Sequence, residues 1–278
     1  MSENLVTHAK LSLCSEVINA YTANCTQRSR TTFGNHLPEI IQLTCELRSS
    51  KQGLEHKLLP EIIARWKILK AEQFAKNMAY GHLFNPLATI PIGEIIHSRL
   101  LGDLLDPKGS HGQGQLFLDA FLESISVPNP TDGDWMISIE DGRVDICIWR
   151  LSPASVVIIE NKSNWAVDQQ HQLYRYWYEN IQKIHPTLDY SQPEVKQSFQ
   201  LLYLPPTAGK QPDQHSLQRP EYLDYTELPK TLREVGVTVK ILPYRDHIAA
   251  WLNVCEQLIP PTNTRLRAHL QFYKELWN

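Results

Sequence analysis

The chain has 278 residues, of which 42% are apolar and 21% are charged. This length and composition allow a buried core without stabilising metals or disulfides, and they exclude a disordered chain. No apolar run is long enough to cross a bilayer, and the first residues lack the basic and apolar segments of a secretory signal. The five cysteines are scattered without a C-x-x-C pair, so we expect reduced thiols, no structural zinc and a cytoplasmic location. The net charge of −3 means that any basic surface for nucleic acid must be local.

The first part of the chain is predicted to be helical. Pro60 is compatible with a first helical turn. After it, apolar side chains recur at helical spacing with no intervening glycine, at Ile62, Ile63, Trp66, Leu69 and Phe74. We therefore expect an all-helical N-terminal extension over residues 1–80 and a second domain over residues 81–278. The extension is the natural place for a protein partner or for a homodimer contact, and both stay open.

From residue 91 the pattern changes to a mixture of helices and strands. Helices are predicted over 91–106, which Asp106-Pro107 ends, and over 115–123, with a glycine-rich turn between them. Short apolar or alternating runs then predict strands, and longer periodic segments predict helices. The predicted strands are 136–140, 143–149, 155–160, 199–204 and 237–242; the predicted helices are 167–184, 244–258 and 264–277; the segment 205–220 is a loop. This order predicts an α/β fold, in which helices cover a sheet.

Two of the predicted strands carry acids where packing alone does not favour them. Asp145 alternates with apolar neighbours and therefore faces away from them. Glu160 and Lys162 are two residues apart and share a face, whereas Asn161 faces the other way. If these strands are adjacent, Asp145 lies beside Glu160, and the two carboxylates repel unless a cation neutralises them. A hard divalent cation such as Mg²⁺ suits carboxylate and carbonyl oxygens, and Lys162 then lies where an attacking water would be.

Further polar side chains are predicted to face the same place. The apolar row of the helix over 91–106 is Ile96, Leu100 and Leu104, with Leu101 and Leu105 beside it. Glu94 lies on the row that continues through His97 to Leu105, so we expect it to point inward near the helix start. An acid in a first turn that merely complements the helix dipole is the simpler alternative. Gln172 and Tyr176 are four residues apart on a later helix, hence on one face, and both can bind a phosphate or Lys162.

These residues resemble the PD-(D/E)XK nuclease superfamily, whose motif is an acid followed by Glu-x-Lys, with a preceding helical Glu. The segment Gln172-Leu-x-x-Tyr176 resembles an extra motif of the recombination-exonuclease branch. Over residues 84–275 the order of segments is similar to one prokaryotic family of that superfamily. The segments are Phe84-Asn-Pro86, Glu94-Ile-Ile-His97-Ser98, Leu104-Leu-Asp-Pro107, Gly109-Ser-His-Gly-Gln-Gly114, Gly142-Arg-Val-Asp145, Ile158-Ile-Glu160-Asn-Lys162 and Asp168-Gln-x-x-Gln172. Val144 stands where the motif's name has proline, a change that several active members share.

The resemblance implies a restriction-endonuclease-like core, with a mixed central sheet flanked by helices, and metal-dependent hydrolysis of phosphodiester bonds. It implies that Asp145, Glu160 and the main-chain carbonyl of Asn161 hold Mg²⁺, for which Mn²⁺ can substitute. The expected substrate is DNA, with RNA as an open alternative, and the expected setting is prokaryotic antiviral defence. The nucleic-acid contacts that we assign are Arg143, Arg175 and Tyr176.

The remaining roles also come from the resemblance. Lys162 would orient or deprotonate the attacking water and offset charge in the transition state. Glu94 would hold a metal-bound water or a second ion. Gln172 would position Lys162 or the phosphate. Endonuclease and exonuclease activity both stay open.

Simpler interpretations compete with this hypothesis. In isolation, Asp145 is typical of an edge-strand acid, and Glu160 with Lys162 is typical of a surface ion pair. The ordered string of segments favours the catalytic interpretation over these. A catalytically inactive module on the nuclease fold, which binds nucleic acid or a partner without turnover, is the alternative function.

Other chemistry-bearing residues are expected to be structural. His97 and His111 lack the spacing of zinc ligands, and a helical histidine on an apolar row is typical of a core position. The loop around His111 lacks the P-loop motif, so a turn between helices is expected. The aromatic run is expected to pack against a neighbouring element rather than stack on bases, and it comprises Tyr174, Tyr176, Trp177 and Tyr178.

Overall fold

The computed structural model describes residues 55–81, 84–141, 144–223 and 228–277. Most of the predicted N-terminal extension therefore lies outside the described residues. Helix α1, Glu55–Tyr80, confirms the helical prediction for the part that is described. It begins one turn earlier than expected, so Pro60 lies inside the helix, where its fixed φ fits but its missing N–H forfeits one hydrogen bond. Across the described helices, none combines the length and the apolar character that crossing a bilayer requires.

Residues 86–277 form a compact unit around one sheet. Its strands are β1 (Met136–Asp141), β2 (Val144–Arg150), β3 (Ser155–Asn161), β4 (Phe199–Leu204) and β5 (Val239–Ile241). They pair in sequence order, with β1, β2 and β3 antiparallel and with β3, β4 and β5 parallel. The central strand β3 is buried at every position, as its continuous apolar run predicts. The α/β fold with a mixed central sheet is therefore confirmed.

Helices and short turns surround this sheet. The helices are α2 (Glu94–Leu105), α3 (Leu116–Ser124), α4 (Gln172–Trp177), α5 (Pro193–Ser198), α6 (Ala249–Leu258) and α7 (Thr264–Glu275). Single turns of 3-10 helix occupy Pro86–Thr89, Gln214–Leu217, Glu221–Leu223 and Leu232–Val235, and π turns occupy Tyr178–Gln182 and Tyr244–Ile248. Helix α5 and the 3-10 turns are not predicted by the sequence pattern, because segments of one turn are too short to show periodicity.

The two faces of the sheet bury different cores. On one face, Ile146, Ile148 and Ile159 join a cluster with residues of α2, α3, α6 and α7. On the other face, Cys147 and Ile158 join a cluster with residues of α4 and of the 3-10 turns after it. Because side chains alternate along a strand, the residue after Ile159 returns to the α4 face. That residue is Glu160, and its position fixes where the candidate site lies.

One helix prediction is wrong at its start. The predicted helix over 167–184 begins only at Gln172 and ends in the π turn. His171 has a left-handed backbone, with φ of 59°, which an α-helix cannot accommodate. Upstream, the Asp168 carboxylate accepts hydrogen bonds from the Tyr203 hydroxyl and from the Asp213 main-chain N–H. Tertiary contacts therefore hold the segment before α4 as a loop.

Candidate active site

The pairing of β2 with β3 brings the two predicted acids together. Ile146 is opposite Ile159 in the antiparallel ladder, and extending that register by one residue places Asp145 opposite Glu160. Directly opposed side chains in such a ladder share a face and lie in contact distance. The main-chain N–H of Asn161 donates to Asp145 Oδ2 at 2.6 Å, which fixes the Asp145 carboxylate at the end of β3.

Lys162 forms an ion pair with the neighbouring Glu160 carboxylate. Its Nζ lies 2.7 Å from Glu160 Oε1, and both side chains are almost completely buried. The second oxygen, Glu160 Oε2, is buried and has no hydrogen-bond partner among the described residues. A buried carboxylate oxygen without a partner is costly, because it has lost water and gained nothing in exchange. The Glu160 carboxylate therefore has an ion pair with Lys162 on one oxygen, and the Tyr176 hydroxyl also interacts with the carboxylate.

Burial and mutual repulsion shift the titration of both acids. Burial raises the pKa of Glu160 to about 8, the charge of Asp145 adds to the rise, and Lys162 opposes it. Burial also raises the pKa of Asp145 to about 6, while the hydrogen bond from the Asn161 N–H opposes that rise. Two adjacent carboxylates with raised pKa values are the arrangement expected where a cation binds.

Lys162 stays a cation in this setting. Burial alone would lower its pKa, but the charge and hydrogen bond of Glu160 raise it, and the charges of Glu94 and Asp168 add to that rise. The net effect is a pKa above the ordinary value of 10.5. A lysine in this state donates hydrogen bonds and supplies positive charge, and it does not accept a proton near neutral pH.

The side chain of Asn161 points to the opposite face, as predicted, and is fully hydrogen-bonded. Its Nδ2 donates to the main-chain oxygen of Glu94 at 2.8 Å and to Ser98 Oγ at 3.0 Å. Its Oδ1 accepts from the Ser163 N–H at 3.0 Å and from the Tyr244 hydroxyl at 3.2 Å. Asn161 thus ties the end of β3 to the first turn of α2 and fixes the carbonyl that we expect to hold a metal ion.

Glu94 is the first residue of α2, and its predicted inward direction agrees with the buried face of that helix. His97, Leu101 and Leu105 on its row are buried. Ile96, which the sequence pattern placed on an apolar row, is 42% exposed, because the buried face is turned toward the row of Glu94 instead. Glu94 Oε1 accepts from the Asn164 N–H at 3.4 Å, and its charge acts on both Asp145 and Lys162.

Gln172 and Tyr176 form a buried pair on α4. Gln172 Nε2 donates to the Tyr176 hydroxyl at 2.9 Å, and its Oε1 accepts from the Gln169 N–H at 3.2 Å. Burial raises the pKa of Tyr176 above its ordinary value, and the charge of Glu160 and a hydrogen bond to its carboxylate add to the rise. Gln172 is therefore hydrogen-bonded to Tyr176, whose hydroxyl lies in the field of Glu160, rather than to Lys162.

The three assigned nucleic-acid contacts lie in different situations. Tyr176 is buried, and its hydroxyl interacts with Glu160. Arg175 is half-buried on α4, and its Nη2 donates to Gln169 Oε1 at 3.4 Å. Arg143 lies outside the described residues. These contacts stay predictions.

The histidines and aromatic residues are structural, as predicted. His97 is buried among the rings of Tyr244, Tyr273 and Trp277, and burial lowers its pKa to about 4. His111 is hydrogen-bonded to the main chain of Asp106 and Gln113 in the turn between α2 and α3. In the aromatic run on α4, Tyr174, Tyr176 and Trp177 are buried. These rings pack in the core.

Sequence reasoning missed the side-chain role of Asn161 and the contribution of two acids. Period-2 alternation places Asn161 in a core, and a buried amide needs partners, so the pattern contained a signal for a hydrogen-bonded network there. Glu140 adds its charge to Asp145, and Asp168 adds its charge to Glu160. Their proximity depends on a strand end and a loop, which periodicity does not locate.

The chemistry of this site fits a hard divalent cation. No group of three or more His, Cys, Asp or Glu side chains within the described ranges is arranged to hold a metal ion, so main-chain carbonyls or water would have to complete the coordination. Asp145 and Glu160 supply two adjacent carboxylates, and Glu160 Oε2 has no hydrogen-bond partner among the described residues. Carboxylate and carbonyl oxygens are the ligands that Mg²⁺ and Mn²⁺ prefer.

Comparison with known proteins gives the class of this fold and site. Residues 84–275 match the PD-(D/E)XK nuclease superfamily. The chain therefore belongs to that superfamily, and its five-stranded mixed sheet with flanking helices is the restriction-endonuclease-like fold. Membership implies a nuclease acting on nucleic acid. Searches of curated proteins and of solved structures found no match.

Proposed function

We propose that this protein is a Mg²⁺-dependent deoxyribonuclease that hydrolyses phosphodiester bonds, and that Mn²⁺ substitutes for Mg²⁺. The observation that carries the proposal is the convergence of Asp145, Glu160 and Lys162, with one buried Glu160 oxygen left without a partner in the described chain. The proposed ligands are the carboxylates of Asp145 and Glu160 and the main-chain carbonyl of Asn161. A buried carboxylate oxygen without a hydrogen bond is costly, and a bound cation would compensate that cost.

Each residue has a distinct task in this proposal. The bound cation supplies Lewis-acid activation of water and stabilises developing charge. Lys162, held against Glu160 Oε1, donates hydrogen bonds that orient the attacking water and offsets the charge of the pentavalent transition state. Its raised pKa supports orientation over deprotonation. Glu94 would hold a further water or a second ion, and Gln172 holds the Tyr176 hydroxyl, which interacts with the Glu160 carboxylate.

The proposal is tested by cleavage of circular DNA, linear DNA and RNA with Mg²⁺, with Mn²⁺ and with a chelator. We expect metal-dependent cleavage of DNA that Lys162→Ala slows by about 10²–10⁴-fold. The matched control is Lys183→Ala, because Lys183 forms an exposed ion pair with Glu179 at 2.8 Å, and its removal should leave the rate unchanged. Degradation of linear but not circular DNA would define an exonuclease.

Three results would contradict the proposal. Cleavage by Lys162→Ala at the wild-type rate would show that the catalytic site lies elsewhere. Cleavage in the presence of chelator would show that the reaction does not need a metal ion. Binding of nucleic acid without turnover in any metal would establish the inactive module instead.

The proposed setting is prokaryotic antiviral defence in the cytoplasm, with the N-terminal helices contacting a partner or a second copy. Its support is the family resemblance. Cells that express the wild-type protein should resist phage infection, and cells that express Lys162→Ala should not. Equal plaque counts for the two would contradict the defence role without affecting the proposed chemistry.

A further inference from the structure

The turn that follows Lys162 presents an exposed indole. Trp165 lies three residues after Lys162, and its main-chain N–H donates to the Lys162 carbonyl at 3.2 Å. The Trp165 side chain is 55% exposed, although large aromatic side chains usually bury most of their apolar surface. The indole therefore presents a large stacking surface to solvent in the turn that follows the candidate catalytic lysine.

The backbone at Trp165 is strained. Its φ is 62°, in the left-handed region that bulky residues rarely adopt. Strain of this kind persists only where the surrounding structure enforces it, and it is concentrated at functional sites. A residue that combines strain with exposure costs stability and gains little packing in return.

Residues on both sides of Trp165 are pinned to the site. Asn164 donates from its side chain to the Ile92 carbonyl at 3.0 Å and from its main chain to Glu94 Oε1 at 3.4 Å. On the other side, Lys210 Nζ donates to the Ala166 carbonyl at 2.7 Å. The indole is thus carried by a fixed turn between Glu94 and a lysine ammonium, and not by a free loop.

We propose that Trp165 is a stacking platform for one unpaired nucleobase of the substrate, next to the phosphodiester that is cut. The proposal rests on the proposed nuclease function. Every base presents a π-face, so stacking on an exposed indole is tolerant of sequence, and a nearby cation favours the polyanionic backbone. Bases inside a duplex are already stacked on each other, so the platform selects single-stranded or locally unpaired nucleic acid.

The test is steady-state cleavage of a labelled single-stranded oligonucleotide by the full-length protein with Mg²⁺. Trp165→Ala should raise KM by about 5- to 100-fold, as expected for the loss of one stacked base, while kcat stays near the wild-type value. Trp165→Phe, which keeps an aromatic ring, should retain most of the affinity. Leu151→Ala is the matched control, because Leu151 is 80% exposed in the turn at the opposite end of β2 and β3, and its KM should not change.

Two further measurements exclude a structural role. Trp165→Asn should raise KM as Trp165→Ala does and yet melt at the same or a higher temperature, because Asn tolerates a left-handed backbone better than Trp. An abasic nucleotide, moved along the oligonucleotide, should raise KM for the wild-type protein at one position and have no added effect on Trp165→Ala.

The outcomes separate this inference from the proposed function. A wild-type protein that cleaves single strands while Trp165→Ala has an unchanged KM overturns the inference alone, and it would leave the indole for a protein partner. An abasic penalty that is equal in wild type and Trp165→Ala also overturns it. A wild-type protein that neither cleaves nor binds nucleic acid overturns both.

Discussion

Glu160 and Asn161 are consecutive residues of β3, each 1% exposed, and the strand turns their side chains to opposite faces of the sheet. The Asn161 amide has two donor and two acceptor contacts, to α2, to Ser163 and to Tyr244. The Glu160 carboxylate has Lys162 on one oxygen, and its Oε2 has no close hydrogen bond within the described chain, although the Tyr176 hydroxyl interacts with the carboxylate. The hydrogen bonds of the Asn161 side chain stabilise the fold, whereas the hydrogen bonding of the Glu160 carboxylate is incomplete.

The other end of β2 shows that this fold can surround a buried charge with hydrogen bonds. Arg150 is buried, and its guanidinium donates to the main-chain carbonyls of Pro128 and Asp132 and to Ser155 Oγ. It also stacks on the ring of Trp135. By comparison, the Glu160 carboxylate is incompletely hydrogen-bonded among the described residues, which supports the proposal that it binds a cation.

The contribution of the Asn161 hydrogen bonds to stability can be measured directly by mutation. Asn161→Ala leaves the Tyr244 hydroxyl and the Ser163 N–H without their buried acceptor, and we expect a loss of about 3 kcal/mol in the free energy of unfolding. Asn164→Ala is the control, because Asn164 is exposed and its loss should cost about 0.5 kcal/mol. Chemical denaturation measures both, and equal losses would show that the Asn161 network carries no special stability.

The buried Glu160 carboxylate should make the thermal stability of the metal-free protein depend on pH. The pKa of Glu160 rises from 4.5 to about 8 on burial, so the folded state holds a proton that the unfolded state releases in that interval. Stability contributed by this group is therefore lost as the pH rises from about 4.5 to about 8. Thermal melting in chelator should show this fall, and Glu160→Gln, which cannot ionise, should flatten it.

The control for this profile is Glu179→Gln, in the exposed ion pair with Lys183, which should keep the wild-type slope. A melting temperature that rises through the same pH interval, or a Glu160→Gln variant with the wild-type slope, would contradict the assignment of a raised pKa to Glu160.

The smallest expected effect concerns the backing of Glu160 by α4. Tyr176→Phe removes the hydroxyl that accepts from Gln172 Nε2, and we expect a loss of about 1 kcal/mol in stability and a several-fold slower cleavage. Tyr178→Phe, on the following turn, is the control for loss of a tyrosine hydroxyl. Unchanged cleavage by Tyr176→Phe would show that α4 does not contribute to the site and that the sheet and α2 supply it.

The sequence predicted the parts of this site that depend on strand alternation. Period 2 put Glu160 and Lys162 on one face and Asn161 on the other, and the antiparallel ladder needed only adjacency to bring Asp145 beside Glu160. Helical spacing likewise placed Glu94 on the buried row of α2, although it placed the exposed Ile96 on an apolar row as well. These inferences are local, so a single chain segment suffices for each.

What the sequence could not supply depends on contacts between distant segments. The partners of the Asn161 amide come from α2 and from Tyr244, which lies 83 residues further on. The loop before α4 escapes helix formation because Tyr203 and Asp213 hold Asp168. Periodicity records neither kind of contact, because both are set by the tertiary arrangement.

The central claim, that the open oxygen of Glu160 receives a divalent cation, is tested most directly by metal binding in the absence of nucleic acid. Titration of Mn²⁺ followed by electron paramagnetic resonance should show binding to the wild-type protein that strengthens as the pH rises, because the ligand must lose its proton. Glu160→Gln should weaken that affinity by about tenfold or more, which is about 1.4 kcal/mol. Equal affinity of the wild-type protein and Glu160→Gln for Mn²⁺ would contradict the account.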